Sequence, residues 1–118
     1  MHIEIVETSK IINNPSNDDI ARVIVSTQGG AYTGIILKKS RGVFMQTTFE
    51  PDRGYALEYM DEETRFLYHY HWITTKEVIK AMQAYANGDD WWKNYFKWQF
   101  WGDYNSDNKE NKFSQNKV

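Results

Sequence analysis

Between Tyr32 and Ile73 the chain runs through four apolar-alternating stretches, "YTGIILKK", "VFMQTTF", "YALEYM" and "RFLYHYHWI", with only short polar breaks between them. The breaks are "KSRG", "EPDRG" and "DEET". Connections this short can join only antiparallel neighbours, because a parallel crossover needs a dozen or more residues. The spacing therefore predicts an antiparallel meander. Pro51 at the second turn position and Gly54 at the turn's end suit one break, and Gly34 is a candidate bulge.

Two helical patterns flank the meander. "HIEIVE" alternates with period two and predicts a first strand with Ile3 and Ile5 on one face. "INNPSNDD" is a turn and helix start, with Asn14 capping ahead of Pro15 or Ser16 capping with Asp19 three residues on. Ile20, Val23, Ile24 and Thr27 then recur at helical spacing, and Gly29-Gly30 stops a helix expected near residues 16–28. In "TTKEVIKAMQAYANG", Thr74 and Glu77 have capping-box spacing. Val78, Met82 and Tyr85 make one stripe with Ile79 and Ala86, while Lys76, Lys80, Gln83 and Asn87 share the opposite face. Gly88 ends this helix, expected over 75–87.

"DDWWKNYFKWQFW" holds four of the five tryptophans. A helical reading stacks Trp91, Tyr95 and Trp98. A strand reading puts Phe96, Trp98 and Phe100 on one face and Lys97, Gln99 and Trp101 on the other. The polar alternation favours a strand from Tyr95, with Asp89 to Asn94 as a turn or single helical turn. Trp91 and Trp92 are adjacent, so they cannot both face inward. The expected fold class is α+β: a mostly antiparallel sheet in the order β-α-β-β-β-β-α-β with two helices packed on it, a two-layer sandwich. One domain is expected over 1–101. From Gly102 the composition turns polar and Asn/Lys-rich, so 102–118 is expected to be a mobile tail contributing little to stability.

Composition narrows the function classes. A 118-residue chain with 16% aromatic residues builds its core partly from Trp, Tyr and Phe. A net charge of −2 is no footprint for a nucleic-acid partner. The absence of cysteine excludes a disulfide scaffold, zinc–thiolate sites and thiol catalysis. "MHIEIVETSK" carries two glutamates inside its apolar stretch, unlike a signal peptide, and no window reaches the ~18 apolar residues of a membrane span. A cytoplasmic protein with no membrane partner is expected.

Chemistry-bearing residues are sparse. His69 and His71 share a face of one strand, a spacing metal sites use, with His2 and Glu58 the only further candidate ligands; no metal or other cofactor is expected. Glu50, Asp52, Glu58, Asp61, Glu62 and Glu63 face Arg53 alone within their segment. Such a cluster can be a solvated surface, a dock for a basic partner or an acid/base pair. The serines lack a nucleophile-elbow context, and Gly29, Gly30 and Gly34 do not make a phosphate loop. Lys93 and Lys97 among aromatics suggest a single-strand nucleic-acid platform, but Asp89, Asp90 and Asp103 cancel their charge. No enzymatic activity is expected.

"NNPSNDDI" opening a helix, the meander with "GYALEYMD", the helix "TTKEVIKAMQAYANGD" and the Trp of "KWQF" together resemble immunity-protein family 1 of bacterial polymorphic-toxin and contact-dependent inhibition systems. The resemblance spans Ile12 to Trp101 and rests on Pro15, Gly54, the Thr74–Gly88 helix and Trp98. It implies a small cytoplasmic antitoxin that binds a cognate toxin domain, a nuclease or nucleic-acid deaminase, and carries no catalytic residue. Trp91, Trp92, Trp101 and the tail are additions to that pattern. The expected toxin-binding residues are the acidic segment Glu50, Asp52, Glu58, Asp61, Glu62 and Glu63, its neighbours Tyr55, Tyr59 and Tyr68, and the aromatic trio Trp91, Trp92 and Trp101. The competing expectations are a β-rich carbohydrate- or ligand-binding module using exposed Trp and Tyr, and a small metal- or acid-dependent enzyme using His69, His71 and a carboxylate.

Overall fold

The computed structural model describes residues 1–30 and 34–103, so the tail expected from 102 onward lies outside the described residues beyond Asp103. The strands are β1 (His2–Ile5), β2 (Lys10–Asn13), β3 (Gly34–Ser40), β4 (Val43–Glu50), β5 (Gly54–Met60), β6 (Phe66–Ile73) and β7 (Gln99–Asp103). The helices are α1 (Asn17–Ser26), α2 (Thr75–Asn87) and α3 (Trp91–Tyr95), and a 3-10 turn at Thr27–Gly29 extends α1. The described strands form one seven-stranded sheet in the order β2-β1-β3-β4-β5-β6-β7, every pair antiparallel. The α+β architecture and the meander from β3 to β6 match the sequence reading.

Both long helices begin where the capping chemistry predicts. Ser16 accepts from the Asp19 N–H while the Asp19 carboxylate accepts from the Ser16 N–H, both at 3.0 Å. Thr74 and Glu77 repeat the device at the start of α2. Such a pair satisfies two of the amide donors a helix start leaves open. The helical segments end at Gly30 (φ +82°) and Gly88 (φ +84°), in the left-handed region that only glycine enters without cost.

One face of the sheet carries both long helices. The core joins Ile3, Ile5, Ile35, Leu37, Met45 and Leu57 of the sheet to Ile20, Val23 and Ile24 of α1 and Val78, Ala81 and Met82 of α2. Tyr55 is fully buried among them, and its hydroxyl donates to the Ile24 carbonyl at 3.1 Å and lies 3.1 Å from Thr27 Oγ1. A buried hydroxyl without such partners would destabilise the fold. Among the described residues the opposite face has a small cluster of Val43, Met60 and Leu67, with Phe44 and Trp101 packed against it.

Three local expectations are corrected. Lys10–Asn13 is an additional strand, although its last two residues were read as the start of a turn, because Ile3 and Ile12 pair across a hairpin. Gly34 is no bulge: it pairs in register with Thr48, and its missing side chain makes room for Val6, which a Cβ would meet at 3.2 Å. The last strand starts at Gln99 instead of Tyr95. Phe96 is instead the C-cap of α3, Phe100 is 59% exposed and Trp98 is half-buried. The single helical turn at 91–95 removes the strand alternation there, because it lets Trp92 reach the core while Trp91 points away.

Candidate functional site

The outer face of α2 forms the floor of a groove of about 700 Å³. Lys76, Lys80, Gln83 and Asn87, the polar stripe of the helix, line it together with Glu77 and Asp89. Asn17 of α1 closes one side, and Trp91 and Tyr95 of α3 close the other. Residues four apart on a helix share a face, so even this short helix places both rings on the groove. Their centroids are 5.3 Å apart and their planes nearly perpendicular. Trp91 is 40% exposed and Tyr95 59% exposed.

The groove wall is braced. Gln83 Nε2 donates to the Asn17 carbonyl at 3.0 Å, and Asn87 Nδ2 donates to Asn17 Oδ1 at 3.1 Å. The Tyr95 hydroxyl donates to Glu77 Oε2 at 3.2 Å. Glu77 Oε1 also accepts from the Thr74 N–H at 3.0 Å, so one carboxylate caps α2 and tethers α3. The backbone hydrogen bond from Thr74 leads in holding this carboxyl below the usual glutamate range, with burial opposing and the hydroxyls of Thr74 and Tyr95 assisting. A carboxyl depressed by folding stabilises fully above the 4.5 of an unperturbed glutamate and loses that contribution as pH falls through its lower folded value. Glu77→Gln should therefore cost no more than about 1 kcal/mol at neutral pH, the scale of a cap. Melting curves of the two proteins should converge as pH drops below that range; a constant gap would show that the contact works only through geometry.

A second, smaller pocket of about 50 Å³ lies under the β5–β6 turn, lined by Tyr59, Asp61, Glu62, Tyr85, Trp92, Lys39 and Lys93 among others. Asp61 Oδ1 accepts from the N–H groups of Glu63 and Thr64, at 3.0 and 2.9 Å, which folds the turn onto the carboxylate. Burial acts to raise the Asp61 carboxyl, but the hydrogen bonds from Thr64 and Glu63, with Lys93 nearby, hold it below the usual range. Burial first, and then the Asp61 charge, push the Tyr59 phenol up to about 12. Trp92 and Lys93 on this pocket and Trp91 and Tyr95 on the groove make α3 a wall of both.

The expected surface does not hold together as one patch. Glu50 and Asp52 stand at the β4–β5 turn and Asp61, Glu62 and Glu63 at the other end of β5, roughly 20 Å away at about 3.3 Å per residue. Glu58 points to the opposite sheet face, where Gln46 Nε2 donates to it at 3.2 Å. Tyr55, Tyr59 and Trp92 are core residues, each 6% exposed or less, and are corrected as binding candidates. Tyr68 is half-buried, stacked on Tyr59 at 5.4 Å. Trp101 lies across the sheet from Trp91, edge-on to His69 at 4.3 Å. Period-two alternation sends these side chains to opposite faces, and a linear cluster of charge does not register that.

His69 and His71 do share the open face, with ring centroids 5.7 Å apart. Burial first, and His71 second, lower the imidazole of His69. Glu58 pairs directly across from His69, whereas His2 lies four strands away. Among the described residues no group of three or more His, Asp or Glu side chains could hold a metal ion, and no helix is long and apolar enough to cross a membrane. Sequence reasoning missed Tyr95, Glu77, Asn17, Gln83, Asn87 and Tyr85 as site residues. The i, i+4 spacing of Trp91 and Tyr95 was the signal that could have found the groove.

No protein-family model matches the chain, and no curated protein or solved structure matches it.

Proposed function

We propose that this chain is an immunity protein that binds a cognate bacterial toxin domain, a nuclease or nucleic-acid deaminase, and blocks its active-site cleft. Inhibition by occlusion requires no chemistry, only a rigid scaffold with a surface for a partner. The observation that carries this reading is the exposed Trp91–Tyr95 pair on a groove whose α3 wall also borders the acidic turn. Exposed aromatic anchors beside charge that complements a basic cleft are features of tight protein interfaces. The resemblance of "GYALEYMD" and "TTKEVIKAMQAYANGD" to the immunity family supplies the partner class.

The test begins from the genes on either side of this one and uses any toxin-like module they encode, expressed as an inactive variant. Wild type should bind it and protect cells. Trp91→Ala with Tyr95→Ala should weaken binding by about 30-fold or more, the scale of losing a hot spot of about 2 kcal/mol. Replacing Asp61, Glu62 and Glu63 with Lys should instead slow association, most at low salt. Failure of the wild type to bind or protect against any neighbouring toxin overturns the reading. The Trp91–Tyr95 pair above the side chains of Asn17, Gln83 and Asn87 also favours a second reading, carbohydrate binding, since aromatic rings stack on sugars. Saturable capture in a glycan screen, lost in the same double variant, would select it.

A further inference from the structure

We propose that the small pocket beneath the acidic turn anchors one lysine ammonium of the protein partner, with the Tyr85 hydroxyl as its innermost acceptor. The proposal rests on the protein-binding reading for the source of the lysine, but not for the chemistry of the pocket. Tyr85 is 4% exposed, and its buried hydroxyl has no hydrogen-bond partner among the described residues. Native structures rarely leave such a group unpaired, because doing so costs stability. An orphaned hydroxyl at a pocket beside two carboxylates is a recognition feature in its own right.

The sign of the ligand's charge follows from the carboxylates of Asp61 and Glu62 on the pocket wall. Burial and then Glu62 raise the Tyr85 phenol, and burial and then Asp61 raise Tyr59. Both phenols on the wall therefore sense carboxylates as their leading charged neighbours. Lys39 and Lys93 line the pocket too, yet their heads lie over aromatic faces, 4.5 Å from the Tyr85 centroid and 5.6 Å from that of Trp92. Glu63 adds a further negative charge on the same turn.

Size sets the class of ligand. About 50 Å³ is more than the roughly 10–15 Å³ that holds one water, and far below the ~300 Å³ of a whole-ligand site. The pocket admits the head of one side chain. A compact three-donor ammonium suits a small pocket lined by a phenol and two carboxylates, whereas a planar guanidinium fork needs a wider opening.

The test titrates the isotopically labelled full chain with n-butylammonium chloride at constant ionic strength, following the Trp92 indole N–H and the amides of Asp61 to Thr64. Wild type should show a saturable shift, and sodium phosphate should show none. Tyr85→Phe should weaken the response by about tenfold or more, the worth of one hydrogen bond to a charged group. The same variant should melt at or above the wild-type temperature, because it deletes an unpaired buried hydroxyl. Asp61→Asn keeps an oxygen for the Glu63 and Thr64 amides and should also weaken the response. No saturable shift, a shift produced by phosphate, or an equal response in Tyr85→Phe overturns the ammonium site. In a second arm, Tyr85→Phe should weaken binding of the inactive toxin. If it does not, while butylammonium still binds, the lysine anchor is overturned and the pocket is a small-amine site. If the titration fails while the toxin still binds, the anchor falls and the immunity reading stands.

Discussion

Trp92→Ala should lower the unfolding free energy by about 3–5 kcal/mol, the range for truncating a core aromatic. That is a large share of the ~5–15 kcal/mol that holds an ordinary domain together. Trp92 is 3% exposed and is the side chain through which α3 is pinned to the body. Its ring meets Tyr59 edge-on at 4.7 Å and Tyr85 at 5.7 Å, and its Nε1–H donates to the Asp89 carbonyl at 2.8 Å. The alanine variant loses this packing and opens a void continuous with the Tyr85 pocket. Trp98→Ala should cost less: Trp98 is half-buried and packs on the edge of the same cluster, with its Nε1–H donating to the Trp92 carbonyl at 3.1 Å. Denaturant midpoints of the two variants check the order. Equal midpoints, or a larger loss for Trp98→Ala, would place the anchor of α3 elsewhere.

Gly54→Ala should be nearly as damaging, at roughly 2–5 kcal/mol from backbone strain and overpacking together. Gly54 opens β5 at φ +107°, outside even the left-handed region that other residues occasionally visit. A Cβ there would meet the Ile73 carbonyl oxygen at 2.7 Å. That neighbour is backbone of a paired strand, not a flexible side chain that can swing aside. Because Tyr55 pairs with Ile73 and β5 is flanked on both sides, relief of the clash would disturb the centre of the sheet. A melting temperature within a degree or two of wild type would show that β5 can shift without cost.

Local signals in the chain were enough for most of the fold. Capping boxes at Ser16/Asp19 and Thr74/Glu77, glycines at the ends of helical segments and period-two strands each involve residues within a few positions of one another. Propensity and hydrogen bonding act at that range, so the sequence states them directly. The strand Lys10–Asn13 escaped because "KIIN" is too short to show alternation, and it is made a strand by pairing with β1. The one-turn helix at Trp91–Tyr95 was one of the two readings of Asp89 to Asn94, but the strand start was set four residues early, at Tyr95, because two periodicities competed over the same aromatics.

By itself the sequence determined the α+β class, the meander, both long helices and the division between Trp91 and Trp92. Only the tertiary structure decided which of those residues could form a site. Tyr55 and Tyr59 went to the core because β5 is an interior strand of the sheet with the helices over one face. The acidic segment was split because a strand carries its two ends far apart, and Glu58 was turned away because successive side chains alternate. Conversely, Asn17, Glu77, Gln83 and Tyr95 are spread over almost eighty positions, yet they meet at one groove because α1 and α3 flank α2. Proximity of that kind depends on long-range packing of whole elements, and no window of neighbouring residues encodes it.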